Sequence, residues 1–195
     1  MNESFANIKS IISSRRTTKP PQMNGRKIAD EQIQAILELA NYAPTHGLTE
    51  PWRFVVYSGD KVDDFCIQHA SLYKANTSTE KFETAKYDKL LHMGDKASHI
   101  IIAIMQRGRL PKINIWEEKA AVASAVQNML LGATALEIAT YWGSGGMAQH
   151  VAMKDFLSLN EADFVMGILY FGYSDKQPPF TRSTPINEKI RWNPS

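Results

Sequence analysis

Five consecutive residues near the N-terminus, Arg15, Arg16, Thr17, Thr18 and Lys19, form the first candidate binding site. Two guanidinium groups, hydroxyl groups and an ammonium group follow directly after a predicted helix. Arginine presents paired N–H donors that match phosphate oxygens, and one charged hydrogen bond contributes about 1.5–3 kcal/mol. The cluster therefore predicts an anion site. The same composition also suits a solvated basic surface between a helix and a loop.

The second candidate is the loop 43–52, Ala-Pro-Thr-His-Gly-Leu-Thr-Glu-Pro-Trp. Two prolines and a glycine restrict its backbone between a predicted helix and a predicted strand, and it carries His46 and Glu50. Loops that rigid elements hold in place are common functional positions. The alternative is a connecting turn that Trp52 anchors in the core.

The third candidate is the turn 143–147, Gly-Ser-Gly-Gly-Met. Glycines allow a backbone to approach a ligand closely and to expose N–H donors. Glycines are equally typical of the turn that ends a helix, so the turn by itself leaves both interpretations open.

Several common catalytic signatures are absent from the sequence. It has no Walker loop, no dinucleotide fingerprint, no His-Glu-x-x-His motif and no Gly-x-Ser-x-Gly elbow. Its five histidines lack metal-ligand spacing, and the single cysteine, Cys66, excludes an intramolecular disulfide and a cysteine-rich zinc site. If the chain is an enzyme, we expect a cofactor rather than a side chain or a metal to supply the reactive atom.

Composition limits the class of protein. The 195 residues suit one domain spanning residues 1–195, and 44% hydrophobic with 22% charged residues is typical of a globular protein. A net charge of +2 is too balanced to indicate nucleic acid or an anionic membrane as a partner. Without a signal-peptide pattern or an apolar run of about 20 residues, we expect a cytoplasmic protein.

The periodicity of apolar residues predicts both helices and strands. A first helix ends near Ser13, a second begins near Asp30, and a third spans about 62–72. Strands are predicted at 53–58, 99–106 and 164–173, the second of them apolar on both faces. The chain thus belongs to the α+β class.

A long helix is predicted from about Trp116 to Tyr141, roughly 40 Å at 1.5 Å per residue. It has no charge between Ala120 and Ala135. A helix that is apolar all round is buried, and we expect a second subunit to cover part of it. The proline-rich tail, about 174–195, cannot form a core alone, so we expect it to dock on a neighbouring element or on the partner subunit.

These segments, taken in order, resemble the nitroreductase family, and in particular its small branch of NAD(P)H nitroreductases. The family begins with a helix and Arg-Arg-Ser-x-Arg, which residues 15–19 resemble, and continues with an Ala-Pro…Gln-Pro-Trp loop, which residues 43–52 resemble. A long Ala-rich helix with Gln127-Asn128, a glycine-containing turn and a closing strand at 167–173 follow. A basic-Pro-x-x-Glu tail ending in Trp is similar to the segment from Arg182 to Trp192.

The resemblance implies an α+β sandwich with a central mixed sheet flanked by helices, in an interlocked homodimer with FMN at each of two interface sites. It implies an NAD(P)H oxidoreductase that reduces nitroaromatics, quinones or similar small electron-poor acceptors by a ping-pong mechanism, with flavin N5 carrying the chemistry. The implied FMN contacts are Arg15, Arg16, Thr17, Lys19, Gly145, Gly146, Met147 and Arg182, with His46 and Glu50 from the other subunit.

The sequence departs from the family pattern at two site positions. Lys19 keeps the charge of the usual arginine but loses its bidentate fork. Glu50 stands where Gln is usual, and an ionised carboxylate cannot donate to a flavin carbonyl and disfavours a negatively charged reduced flavin. A flavin-binding protein without useful turnover, a reductive dehalogenase and a flavin-consuming enzyme of the same fold therefore remain alternatives.

Overall fold

A computed structural model describes residues 2–180 and 182–193. The helices within them are α1 Glu3–Ser14, α2 Asp30–Ala40, α3 Lys61–Ala75, α4 Thr84–Leu91, α5 Ile115–Ala135 and α6 Val151–Phe156. The strands are β1 Trp52–Ser58, β2 His99–Met105, β3 Ala139–Gly143 and β4 Phe164–Gly172. Short 3₁₀ turns lie at Pro20–Gln22, His46–Leu48 and Ile186–Lys189.

The four strands form one sheet in the order β1-β2-β4-β3, with helices on both faces. This confirms the α+β sandwich. The expectation of a mixed sheet is wrong for these strands, because all three pairings are antiparallel. Parallel pairing in the described chain is confined to an isolated bridge between Thr17 and Thr140. An apolar run shows that a strand is covered on both faces. Parallel and antiparallel strands between two helical layers both have this pattern, so it does not distinguish strand direction.

Alternate residues of β2 serve two separate cores. Ile101, Ala103 and Met105 pack towards α2 and α5, whereas Ile100 and its alternate neighbours face α3 and α6. Every residue of β2 is buried, as its uninterrupted apolar sequence predicted. Full burial of an isoleucine side chain contributes about 1.5–3 kcal/mol, so this strand holds both helical layers on one rigid sheet.

Helix α5 is shorter than predicted. It ends at Ala135, and residues Ala139 to Tyr141, expected in the helix, begin the edge strand β3. The helix closes with a Schellman turn, in which the Ile138 N–H donates to the Ala133 carbonyl at 2.8 Å. Glu137 takes the left-handed conformation there, with φ 57°. Glycine usually occupies this position, so with glutamate here the sequence lacks the usual signal of a helix end.

The remaining elements mostly agree with the sequence. The first three helices and the strands β1, β2 and β4 lie where periodicity predicted them. Helix α4 was not predicted, because its start at Thr84 falls in the polar segment 76–85, where the sequence shows no apolar periodicity. No helix of the described residues is both long and apolar enough to cross a membrane.

Three segments leave apolar side chains partly or fully uncovered. Helix α1 has no buried residue, and Phe5, Ile8 and Ile12 are 44–52% exposed. In the tail, Ile186 and Trp192 are 65% and 83% exposed. Helix α5 likewise has only half-buried residues or exposed ones on the side away from the sheet. The long helix and the tail are the two places where the sequence led us to expect a partner, and α1 presents further apolar surface that was not predicted.

Candidate active site

The basic segment 15–19 runs along the outer edge of the sheet. Helix α1 ends at Ser14, and the chain then pairs with β3, where the Thr18 N–H donates to the Thr140 carbonyl at 2.9 Å. Thr18 is buried, and Thr17 and Lys19 on either side of it are exposed. Edge pairing therefore fixes the backbone of this segment and leaves its alternate side chains accessible.

The structure brings the N-terminal and C-terminal cations together at one aromatic ring. The guanidinium carbon of Arg16 lies 4.8 Å from the centroid of Phe180, and that of Arg182 lies 4.5 Å from the same centroid. Arg16 also donates from Nη1 to the carbonyls of Ser13 and Arg15 at 2.6 and 3.0 Å. Two cations far apart in sequence thus contact the same aromatic ring.

Arg16 also lines a groove of about 470 Å³, which we call the basic groove. Three cationic side chains line it, those of Arg16, Arg26 and Lys176, against one carboxylate, that of Glu137. The neighbouring Arg15 is half-buried, and within residues 2–180 and 182–193 its side chain has no hydrogen bond or ion pair. This excess of positive charge suits a phosphate group.

The loop that carries His46 and Glu50 is held tightly. His46 Nδ1 and Glu117 Oε2 are 2.6 Å apart, with the His46 side chain 62% exposed. The Thr45 hydroxyl accepts from the Glu50 N–H at 3.1 Å, and Arg53 donates to the Glu50 carbonyl at 2.8 Å. Glu50 itself has a positive φ of 42°, an uncommon conformation for a residue with a side chain. Trp52 is buried, as the structural interpretation of this loop required.

This loop and the basic segment do not meet within one chain. His46 contacts Glu117 at the start of α5, whereas the basic groove is lined by Thr134 and Glu137 at its end. Thr134 is 17 positions after Glu117 on this helix, which is about 25 Å at 1.5 Å per residue. The two halves of the expected FMN site therefore lie at opposite ends of one helix.

The glycine turn 143–147 lies at the far end of β3 from α5. Gly146 has φ 66°, and a Cβ there would lie 2.5 Å from His69 Nε2. His69 Nε2 accepts from the Met147 N–H at 2.9 Å, and the Met147 side chain is buried in the core. Only glycine fits at position 146. Met147 anchors the turn, and its N–H is already bound.

Gly145 and Gly146 line an apolar cavity of about 200 Å³ that we call the β3 cavity. Its other walls are Gly143 and Tyr141 of β3, Ile168 and Tyr170 of β4, His69 of α3, and Lys86, Lys89, Leu90 and Met93 in and after α4. We did not single out either lysine from the sequence. No motif marks them, and α4 itself was not predicted.

Burial fixes the protonation of the groups around this cavity. It lowers the pKa of His69 to about 4, so the imidazole is neutral near pH 7. Because Nε2 accepts a hydrogen bond, the proton lies on Nδ1, which is buried without a partner among the described residues. Burial also raises the pKa of Tyr170 far above its usual range. The cavity therefore has neutral inner walls, and its charge comes from the two lysines.

Two further residues serve structure rather than chemistry. Cys66 is buried, and burial raises its pKa to about 11, which makes the thiol unreactive. His99 is also buried, with Nε2 2.8 Å from Asp30 and Nδ1 3.0 Å from Ser98, as expected of a satisfied core histidine. Over the described ranges, no three potential metal ligands come together.

Comparison with known proteins finds similar proteins that align with nearly the whole chain. The sequence model described as "Nitroreductase family" matches residues 12–173. A Bacillus subtilis protein named "Putative NAD(P)H nitroreductase YfhC" is 24% identical over 183 residues, covering 94% of this chain and 92% of the relative. The crystal structure of a nitroreductase-like family protein from Bacillus cereus has a TM-score of 0.82 at 24% identity, covering 96% of each chain. A nitroreductase with bound FMN from Bacteroides fragilis has a TM-score of 0.69 at 21% identity, covering 100% of each chain.

Proposed function

The chain belongs to the nitroreductase family of oxidoreductases, and we propose that it binds FMN and uses NAD(P)H to reduce small electron-poor molecules. When bound, FMN supplies a ring position, N5, that takes a hydride from NAD(P)H and later passes electrons to the acceptor. Nitroaromatics and quinones are acceptors of this kind. For a quinone, the balanced reaction is NAD(P)H, a proton and the quinone giving NAD(P)⁺ and the hydroquinone.

The observation that carries this proposal is the meeting of Arg16 and Arg182 at Phe180. We assign Arg15, Arg16 and Arg182 to the FMN phosphate, with Thr17 and Lys19 contacting the ribityl chain and the pyrimidine edge. The half-buried Arg15, whose side chain has no partner among the described residues, supports this assignment, because a partly desolvated cation is stabilised by a counter-charge.

The open space beside Gly145 supports an assignment of the glycine turn to the planar ring system of a flavin. We assign the backbone of Gly145 and Gly146 to contacts beside the isoalloxazine. The buried side chain of Met147 anchors the turn in the core. A Cβ on Gly145 would have no heavy atom within 4 Å, so this position faces open space into which a ring can pack. The adjoining β3 cavity is then the place where nicotinamide and acceptor rings enter. A cavity of about 150 Å³ holds a benzene ring, so about 200 Å³ accommodates one such ring.

We propose that a second copy of the chain completes each site. His46 contacts Glu117, which is about 25 Å along α5 from the end that lines the basic groove, so we infer that the loop with His46 and Glu50 reaches an FMN from a partner subunit. A two-fold arrangement that sets α5 against α5 in opposite directions places the start of one helix near the end of the other. The uncovered faces of α1 and the tail support such an interface.

The chain's own residues bind and orient in this mechanism. No side chain forms a bond to the substrate, and the protein contributes position, exclusion of water and electrostatics. Because one cavity serves both the hydride donor and the acceptor, we propose that they bind in turn. This ping-pong order leaves NAD(P)⁺ to depart before the acceptor enters.

Steady-state kinetics test this function. With FMN-saturated protein, rates are measured over a matrix of NADPH and menadione concentrations, and again with NADH. Ping-pong order predicts parallel lines in double-reciprocal plots and competitive inhibition by the acceptor against NADPH. Intersecting lines would indicate a ternary complex and would contradict binding of donor and acceptor in turn at one cavity. No turnover with either nucleotide would contradict the oxidoreductase proposal.

A further inference from the structure

The β3 cavity continues into a second depression on the same side of the sheet. This α3–α4 groove, of about 670 Å³, is lined by Tyr73, Asn76, Thr77, Ser78, Lys81, Glu83, Lys86, Met147 and His150. Lys86 lines both the groove and the β3 cavity. The glycine turn also divides its residues between them, since Gly146 faces the cavity and Met147 faces the groove. The two depressions therefore adjoin at Lys86.

The two depressions differ in character. The β3 cavity is walled mainly by apolar and aromatic side chains and admits one ring. The α3–α4 groove has amide and hydroxyl groups at 76–78, two ammonium groups and one carboxylate. A ligand that spans both must have a planar ring at one end and an anionic, hydroxyl-rich remainder. A nicotinamide dinucleotide has that composition.

Tyr73 holds Lys86 at this junction. The Lys86 Nζ lies 4.6 Å from the centroid of the Tyr73 ring, and Tyr73 is only 2% exposed. The Tyr73 hydroxyl accepts from the Glu83 N–H at 3.0 Å and donates to the Lys81 carbonyl at 3.4 Å. Phe82 stacks on the same ring at 5.5 Å. One buried tyrosine thus fixes both the segment 81–83 and the direction of the Lys86 ammonium group.

We propose that Lys86 binds the pyrophosphate of NAD(P)H while the nicotinamide occupies the β3 cavity and the adenosine half lies in the α3–α4 groove. The pyrophosphate is one ribose away from the nicotinamide ring, which matches the place of Lys86 at the cavity mouth. Lys81 supplies further positive charge along the groove, and Glu83 accepts from a ribose hydroxyl. The proposal rests on the oxidoreductase function above.

This assignment predicts a selective effect of Lys86→Met. Methionine keeps much of the side-chain length and removes the charge. We expect KM for both NADH and NADPH to rise about ten-fold, with kcat little changed. With 1-benzyl-1,4-dihydronicotinamide, a hydride donor without phosphate, kcat/KM stays at the wild-type value. Lys74→Met is the matched control, because Lys74 lies on α3 next to Tyr73 but lines neither depression.

A binding measurement separates this inference from the function on which it rests. Titration calorimetry of FMN-loaded protein with NADP⁺ should show an affinity about ten-fold weaker in Lys86→Met than in wild type and Lys74→Met. An equal loss of activity with the benzyl donor and NADPH would overturn the assignment, as would unchanged NADP⁺ affinity. Loss of FMN from Lys86→Met would make Lys86 a flavin contact and also overturn it. If the wild-type protein fails with every hydride donor, the proposed function itself fails.

Discussion

Arg16 and Arg182 are 166 positions apart in the sequence, yet their guanidinium groups lie against the same ring, that of Phe180, at 4.8 and 4.5 Å. A cation over the face of an aromatic ring is attracted by the negative charge of that face. The pair therefore joins the C-terminal tail to the end of α1 at the point where we place the FMN phosphate.

Removing one of these cations should weaken FMN binding. In Arg16→Ala, and likewise in Arg15→Ala, we expect the Kd for FMN to rise between about ten-fold and one hundred-fold, since a charged hydrogen bond contributes about 1.5–3 kcal/mol. Flavin fluorescence quenching measures it. Arg16→Lys should retain part of the affinity. Lys61→Ala, an exposed charge on α3, is the control, and full FMN affinity in both alanine variants would contradict the phosphate assignment.

Substitutions at two adjacent glycines should separate stability from cofactor binding. Gly146→Ala forces a side chain into a left-handed backbone and against His69, so we expect it to lose at least about 1–2 kcal/mol of unfolding free energy. Gly145→Ala places its Cβ in open space and should unfold like the wild type, but with weaker FMN affinity. Thermal unfolding of the FMN-free proteins gives the first comparison. Equal melting temperatures for both variants would contradict the role of Gly146 in the turn.

The neutral, buried His69 should make the protein less stable in acid. Its pKa is about 4 in the folded protein and about 6.5 when unfolded, so the unfolded chain binds a proton first as pH falls. The contribution of His69 is therefore complete above pH 6.5 and declines by about 3 kcal/mol as pH falls to 4.

The His69→Gln variant isolates this effect. Glutamine keeps an acceptor for the Met147 N–H but does not titrate. Urea unfolding at several pH values between 7 and 4 should show a shallower decline in the variant than in the wild type. Identical declines would mean that folding does not lower the pKa of His69.

Glu50→Gln should raise the midpoint potential of bound FMN. A carboxylate close to the flavin repels the negative charge that reduction brings, and an amide removes that repulsion. The positive φ of Glu50 suits Gln equally, so the loop conformation should be unchanged. Spectroelectrochemical titration of both proteins measures the potential. An unchanged potential would mean that Glu50 does not approach the flavin.

The sequence predicted those parts of the fold that local patterns determine. Apolar periodicity located β2 and the first three helices, and the ordered motifs identified the family before any contact was known. The end of α5 was missed because Glu137 occupies the left-handed position after the helix, where glycine is the usual residue and the usual sequence signal. The mixed sheet was an expectation from the family resemblance, and burial of β2 on both faces could not correct it because such burial does not distinguish strand direction.

Some residues of the candidate site could be recognised from the sequence, and others only from the fold. The basic segment, the loop 43–52 and the glycine turn were visible as local clusters of chemistry-bearing residues. Lys86 and Tyr73 were not, because their relation depends on α3 packing beside α4 through a buried ring. Phe180 likewise became informative only when the fold brought Arg16 and Arg182 to its ring.

The visible absorbance spectrum tests the central claim most directly. Purified protein is supplemented with FMN, freed of excess flavin by gel filtration and then mixed anaerobically with NADPH. We predict a bound-flavin spectrum that NADPH bleaches and that menadione restores. Protein that retains no FMN would contradict the cofactor site, and bound flavin that neither NADPH nor NADH bleaches would contradict the oxidoreductase and leave a flavin-binding protein.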